Sequence, residues 1–180
     1  MRWFGGCSCV ADRGRPAEVG PPVTVLTKPQ TAFEPADPHF EARVRASFAR
    51  LTLMQTLGAR LTKVLPGEVE IGLPFRGDLT QQHGFLHAGI ITTIVDTACG
   101  YAAMSLMPAN SEVLTVEYKV NFVSPAKGSR MVGRGRVTKP GRTLTVCAGD
   151  VFAVSGGEET LVATMLTTMM AVSESTGRRE

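Results

Sequence analysis

The clearest periodicity in the chain runs from Leu114 to Phe122, where Leu114, Val116, Tyr118, Val120 and Phe122 alternate with Thr115, Glu117, Lys119 and Asn121. Successive strand side chains point to opposite faces, so this period of two predicts a strand with one face buried. Three more strand-like runs follow, over 130–138, 143–154 and 160–172, separated by Pro140-Gly141 and Gly156-Gly157. Upstream, Leu57, Ala59 and Leu61 lead to the turn pair Pro66-Gly67, after which Val69, Ile71 and Leu73 alternate with Glu68, Glu70 and Gly72, which predicts a hairpin. Elsewhere the period becomes helical. Phe40, Val44, Phe48 and Leu51 lie on one helical face, with Asp37 as the expected N-cap and Pro38 in the first turn. Ile90, Ile91, Ile94, Val95, Ala98, Ala102 and Leu106 define a second helix, and Cys99, Ala103 and Met104 make its other side apolar, so it is expected to be buried on most sides. The order is helix, two strands, buried helix, four strands, which predicts an α+β fold whose antiparallel sheet carries its helix on one face.

Residues 1–37 hold many glycines and prolines without apolar periodicity and read as a flexible N-terminal extension; the domain follows over 38–174, with a C-terminal tail at 175–180. At 180 residues, 43% hydrophobic and 19% charged, the chain has the composition of one globular domain. A net charge of +3 with no basic tract gives no reason to expect nucleic acid. The four cysteines form neither CxxC pairs nor a regular disulfide framework, which points to a reducing compartment, the cytoplasm. The first 16 residues lack the apolar run of a signal peptide. The apolar stretch 84–107 contains His87, Asp96 and Gly100 and suits a helix inside a protein better than one in lipid, so no membrane partner is expected.

That stretch holds the candidate chemistry. Between Asp78 and Glu112 the only Asp, Glu, Lys or Arg is Asp96. A lone carboxylate in an apolar helix needs a partner, water at an interface, or a raised pKa; a structural ion pair is the ordinary alternative to a functional role. Just before the helix, "HGFLHAG" places small residues where the first backbone N–H groups have no intrahelical acceptor and the dipole is positive. Such a start suits a carbonyl oxygen that gains negative charge. Ala88 and Asp96 are eight residues apart, about 12 Å along a helix at ~1.5 Å per residue, too far to act on one carbonyl within one chain. Two helices packed antiparallel across a two-fold axis would bring the start of one beside the middle of the other, so the site calls for a dimer. His83 and His87 have a four-residue spacing that can bind metal on a helix, but with no third ligand nearby and no HExxH pattern no metal or cofactor is expected.

Three segments in order, "HGFLHAGIITTIVDTACGYAA", "LTVEYKVNFVSPAKG" and "KPGRTLTV", resemble the hotdog-fold acyl-CoA thioesterases of the phenylacetate-pathway (PaaI-like) type, over about residues 40–172. The resemblance implies a hotdog fold, an antiparallel sheet wrapped around a long central helix, assembled as a homodimer or as a dimer of dimers, a homotetramer. It also implies metal-free hydrolysis of an acyl-CoA thioester. In that family's terms His87-Ala88-Gly89 matches the His-Gly-Gly motif, Asp96 the catalytic carboxylate, Thr115 the Ser/Thr that helps hold the attacking water, and Gln81 a carbonyl contact that its neighbour Gln82 could instead supply. Ala88 stands in place of the first glycine, which keeps the N–H and narrows the approach. The N–H of Ala88, with or without that of Gly89, would polarise the carbonyl while Asp96 of the partner chain acts as base or nucleophile; His87 would orient the loop or act as a base. Seven basic residues without an intervening acid lie between Glu117 and Asp150. Among them Lys139 and Arg142, with Arg136, are the candidates for the phosphates of CoA, against a simple solvated strand face. Phe85, Tyr101 and Met104 would line an acyl pocket or belong to the core. The competing reading is a non-catalytic acyl-CoA-binding or sensing hotdog module. A hotdog dehydratase would need a differently spaced motif.

Overall fold

A computed structural model describes residues 33–173. Expectations for residues 1–32 and 174–180 lie outside the described residues. The elements are α1 (Phe40–Arg50), α2 (Thr52–Leu57), β1 (Arg60–Leu65), β2 (Glu68–Pro74), a 3-10 turn (Gly77–Leu79), α3 (Ala88–Met104), β3 (Ser111–Phe122), β4 (Arg130–Lys139), β5 (Leu144–Ser155) and β6 (Glu158–Ser173). The six strands form one sheet in the order β1-β2-β4-β5-β6-β3, antiparallel throughout. The long helix packs on one of its faces, as expected of a hotdog fold.

Local chemistry accounts for the turns. Pro66-Gly67 closes the β1–β2 hairpin with Gly67 at φ +76°, the left-handed conformation a type II turn needs after its proline. Gly156 and Gly157, at φ +60° and +91°, make the two-residue β5–β6 connection, where both positions must have positive φ. The first helix departs from its expectation. Leu51, read as a face residue, adopts an extended ψ of 91° and separates α1 from α2, which Gly58 then ends in the left-handed region. Nor is Asp37 the N-cap, since α1 begins at Phe40 after His39. Its carboxylate accepts the His39 N–H at 2.8 Å and pairs with Arg43 Nε at 2.9 Å. Asp37 is buried and Phe33 packs on the core, so residues 33–37, counted in sequence with the extension, lie against the domain.

Glycines on the sheet let α3 lie directly against strand backbone. A Cβ on Gly135 would lie 2.4 Å from the Ala98 carbonyl carbon, one on Gly133 3.2 Å from the Ile94 oxygen, and one on Gly149 2.7 Å from Cys99 Sγ. Ile91, Ile94, Val95, Ala98, Cys99 and Ala102 fill the interface, all at 1% exposure or less. The helix is not covered all round, however: Gly89 is exposed and Thr92, Thr93, Asp96 and Thr97 are half-buried, forming an open polar stripe.

The strand with the cleanest sequence pattern departs from its expected burial. Leu114, Val116, Tyr118 and Phe122 are 47–53% exposed: β3 is an edge of the sheet, and none of the described residues lies beyond it. Alternation reports two chemically different faces and is silent on what covers either. A register shift between Thr115 and Glu117 also breaks the period, placing Leu114 and Tyr118 on opposite faces. Among the described residues no helix is long and apolar enough to cross a membrane.

Candidate active site

The helix start is held by its approach loop. Gln81 N–H donates to Phe85 O at 2.8 Å and Gly84 N–H to Gln81 O at 3.0 Å, with Gly84 at φ +79°. Leu86 N–H reaches Ala126 O and His87 N–H reaches Leu79 O, each at 3.0 Å, so the loop is tied on both sides before α3 begins. His87 is the N-cap, and its Nδ1 accepts the Gly89 N–H at 2.9 Å. This separates the two candidate donors. Gly89 spends its N–H on the cap, whereas the exposed Ala88 N–H has no acceptor among the described residues. The side chain of Gln81 accepts the His83 N–H, which leaves its NH2 group as the part available to a carbonyl.

Asp96 lies two turns further along α3, half-buried on the polar stripe. Burial pushes its carboxyl above the ordinary carboxylate value, and the hydrogen bond from Thr115 Oγ1, 3.0 Å from Oδ1, opposes that shift. No cation pairs with Asp96 among the described residues, so the ordinary structural ion pair is not its explanation. Thr115 stands opposite Met169, the last pair before the register shift in β3, with its hydroxyl turned to the helix. Met169, fully buried, closes the floor with Sδ 3.5 Å from the same hydroxyl. Thr92 and Thr93 donate their hydroxyls back to the Ala88 and Gly89 carbonyls, so those hydroxyl protons are already used within the first turn.

Other candidates fall elsewhere. Gly133 and Gly135 face α3, so Arg134 and Arg136 project from the opposite face of the sheet. There Arg136 Nη1 binds Asp150 Oδ2 at 2.7 Å, and Arg134 binds Glu70 and Glu159 and lies 4.8 Å from the Phe152 ring centre. The shallow cavity of about 190 Å3 lined by these groups is therefore remote from Asp96. Lys139 and Arg142, by contrast, are exposed and carry no ion pair among the described residues. Their turn lies towards the C-terminal end of α3, since Val137 N–H donates to Gly67 O and Gly67 N–H to Ser105 Oγ. Tyr101 and Met104 belong to the core: Tyr101 OH lies 3.3 Å from Ser47 Oγ with its ring against Phe48, and Met104 is 1% exposed. Phe85 remains half-buried beside the helix start. Among the described residues no three His, Cys, Asp or Glu side chains cluster as a metal site.

The residue that sequence reasoning missed is Arg43. Besides Asp37, it donates to the carbonyls of Ser111, Met104 and Met107 at 3.2, 3.1 and 2.7 Å, tying α1 to the end of α3 and the start of β3. No spacing rule links position 43 to carbonyls more than sixty residues away.

Residues 83–160 match the family described as Thioesterase superfamily. A thioesterase family protein from Silicibacter pomeroyi is 55% identical, with a TM-score of 0.73 over 74% of this chain and 98% of that one. The PaaI protein of the phenylacetic acid degradation operon of E. coli shares the fold at 16% identity, with a TM-score of 0.67 over 74% of this chain and 93% of its own. A Saccharolobus solfataricus protein named as an inferred esterase is 29% identical over 94 residues, a match spanning 52% of this chain and 66% of that protein. The sequence match to the Silicibacter pomeroyi protein over almost its full length, together with the hotdog sheet and helix, shows that this chain belongs to the thioesterase superfamily.

Proposed function

We propose that the domain of residues 38–174 is an acyl-CoA thioesterase that acts as a homodimer, with each site shared between two chains. The observation that carries this reading is the open stripe of α3, where a carboxylate burdened by burial and held by Thr115 has no charged partner among the described residues. The unengaged donor at Ala88 lies eight residues away on the same helix, about 12 Å by its rise. A second chain packed antiparallel on that stripe would set its Ala88 N–H near this Asp96 and cover the exposed apolar residues of β3. A thioester carbonyl placed there would accept from Ala88 N–H, with the Gln81 NH2 as a second donor. Asp96 would take a proton from water as the water attacks, or would attack the carbonyl itself and be freed by hydrolysis of the resulting anhydride. Either route releases the acid and CoA thiolate, which is then protonated. Lys139 and Arg142, without an ion pair among the described residues, would meet the phosphates of CoA, whereas Arg136 is already paired with Asp150. Cys99 and Cys147 are free thiols, which suits a cytoplasmic enzyme. The test is thiol release from a panel of aromatic, short-chain and long-chain acyl-CoAs. Release of free CoA from at least one class is expected, and tight binding of all of them without release would replace hydrolysis by a binding or sensing role.

A further inference from the structure

Resting on the shared-site reading above, we infer that His87 is a positioning residue whose unprotonated Nδ1 holds the Ala88 N–H in its working geometry, so that protonation of this ring disarms the donor. Three observations carry it. Nδ1 is the acceptor of the Gly89 N–H, at 2.9 Å. A ring nitrogen can accept only through its lone pair, so the neutral imidazole carries its proton on Nε2. Gly89 is also packed against that ring, since a Cβ at this position would lie 3.1 Å from Nδ1 and 3.5 Å from Cε1. Ala88 sits between the two residues joined by this bond, so its N–H direction is fixed by a closed loop of three consecutive residues.

Protonation at Nδ1 would set two N–H groups against each other. It would also place a positive charge at the positive end of a 17-residue helix. The cap must then open, releasing Gly89 N–H and loosening the turn that orients Ala88. The backbone hydrogen bonds of His87 to Leu79 and of Leu86 to Ala126 hold the approach loop, but neither constrains the residues after His87. The charged groups on the segments around the ring are Asp78, paired with Arg76, on the 3-10 turn, Lys127 on the loop after β3, His83 in the approach loop, and Asp96 along the helix. None of them hydrogen-bonds the His87 ring among the described residues, so the cap is the bond its protonation would break.

The experiment compares wild type with His87→Asn and His87→Ala in the full chain. Asparagine offers a neutral side-chain oxygen to the same N–H and is among the best N-caps, whereas alanine offers none. Nitrogen-15 NMR of the wild type should show His87 as the Nε2–H tautomer, and its titration midpoint should coincide with a limb on the acid side of kcat. Because Asp96 protonation supplies a separate limb, His87→Asn should lose the histidine limb and keep the other, with less than a tenfold loss of activity on the alkaline plateau. His87→Ala should lose at least ten times more activity than His87→Asn and melt at a lower temperature. A wild-type Nδ1–H tautomer overturns the inference whatever the enzyme hydrolyses, since that reading needs no turnover. An acid limb unchanged in His87→Asn, or equal activity losses in the two variants, overturns it as well, the latter by assigning the imidazole a direct chemical role. Should no acyl-CoA be hydrolysed, the tautomer and the difference in melting still decide whether the ring is the cap, and only the shared-site reading fails.

Discussion

At the scale of single residues, Asp96 couples the site to stability. Burial raises its carboxyl above the ordinary value, so the folded chain holds this proton more tightly than the unfolded chain does. The sign follows from linkage: stability gained through this group is present at low pH and is lost as pH rises from the unfolded value through the raised folded one. The ionised form of Asp96 is therefore a stability cost, one that the proposed role as base or nucleophile would require. Asp96→Asn is expected to lower kcat/KM about a thousandfold, the scale of a lost general base. The same variant should melt above wild type at pH 7, with the difference shrinking as pH falls through the raised folded value of Asp96 towards its unfolded one. Acyl-CoA hydrolysis and calorimetry across pH check both arms, and a variant that melts lower at pH 7 would contradict the cost assigned to the carboxylate. Asp37 has the opposite sign. Its His39 hydrogen bond and Arg43 lower its pKa, so the stability it adds is present at neutral pH and disappears in acid. Both aspartates stand out in the sequence, Asp96 by its isolation and Asp37 as a helix-start residue. The sequence distinguishes neither their partners nor the sign of their shifts, because those come from residues brought close by folding.

At the scale of elements, the site depends on how closely α3 can approach the sheet. Gly135 lies under Ala98 and Cys99, two and three residues beyond Asp96, where a Cβ would come within 2.4 Å of helix backbone. Backbone cannot rotate aside as a side chain can. Gly135→Ala is expected to destabilise the fold by about 2–3 kcal/mol through overpacking. It should also cut activity beyond any loss of folded protein, because lifting α3 draws Asp96 from Thr115 on β3. Denaturant unfolding and the turnover of the folded fraction test this. The same change at Gly156 would meet no atom within 4 Å and would cost only its left-handed φ. The sequence marks both as glycines in strand-rich text. Which glycine serves a turn is legible from its neighbours, and which serves a helix contact is not.

At the scale of the whole molecule, the shared site makes a prediction that no single chain can satisfy. Ala88 is the first residue of α3 and His87 before it is extended at ψ 141°, so proline at position 88 fits the backbone while removing the N–H. Homodimers of Asp96→Asn or of Ala88→Pro should be nearly inactive. A mixed dimer places both lesions in one site and neither in the other, so about half of wild-type activity should return. With the Ala88→Pro homodimer shown to be folded and dimeric by melting and gel filtration, a dead mixed dimer would refute the shared site. The sequence by itself determined the order of elements, the central helix, the isolation of Asp96 and the small residues at the helix start, because helix and strand periods and turn chemistry are properties of neighbours along the chain. Only the tertiary structure decided that β3 is an open edge, that Arg43 ties three segments, that Arg136 points away from Asp96, and that Gly89 N–H is spent on His87. Each of these depends on which distant groups share a face or a hydrogen bond, and a bond with one available proton or lone pair excludes every other use of it.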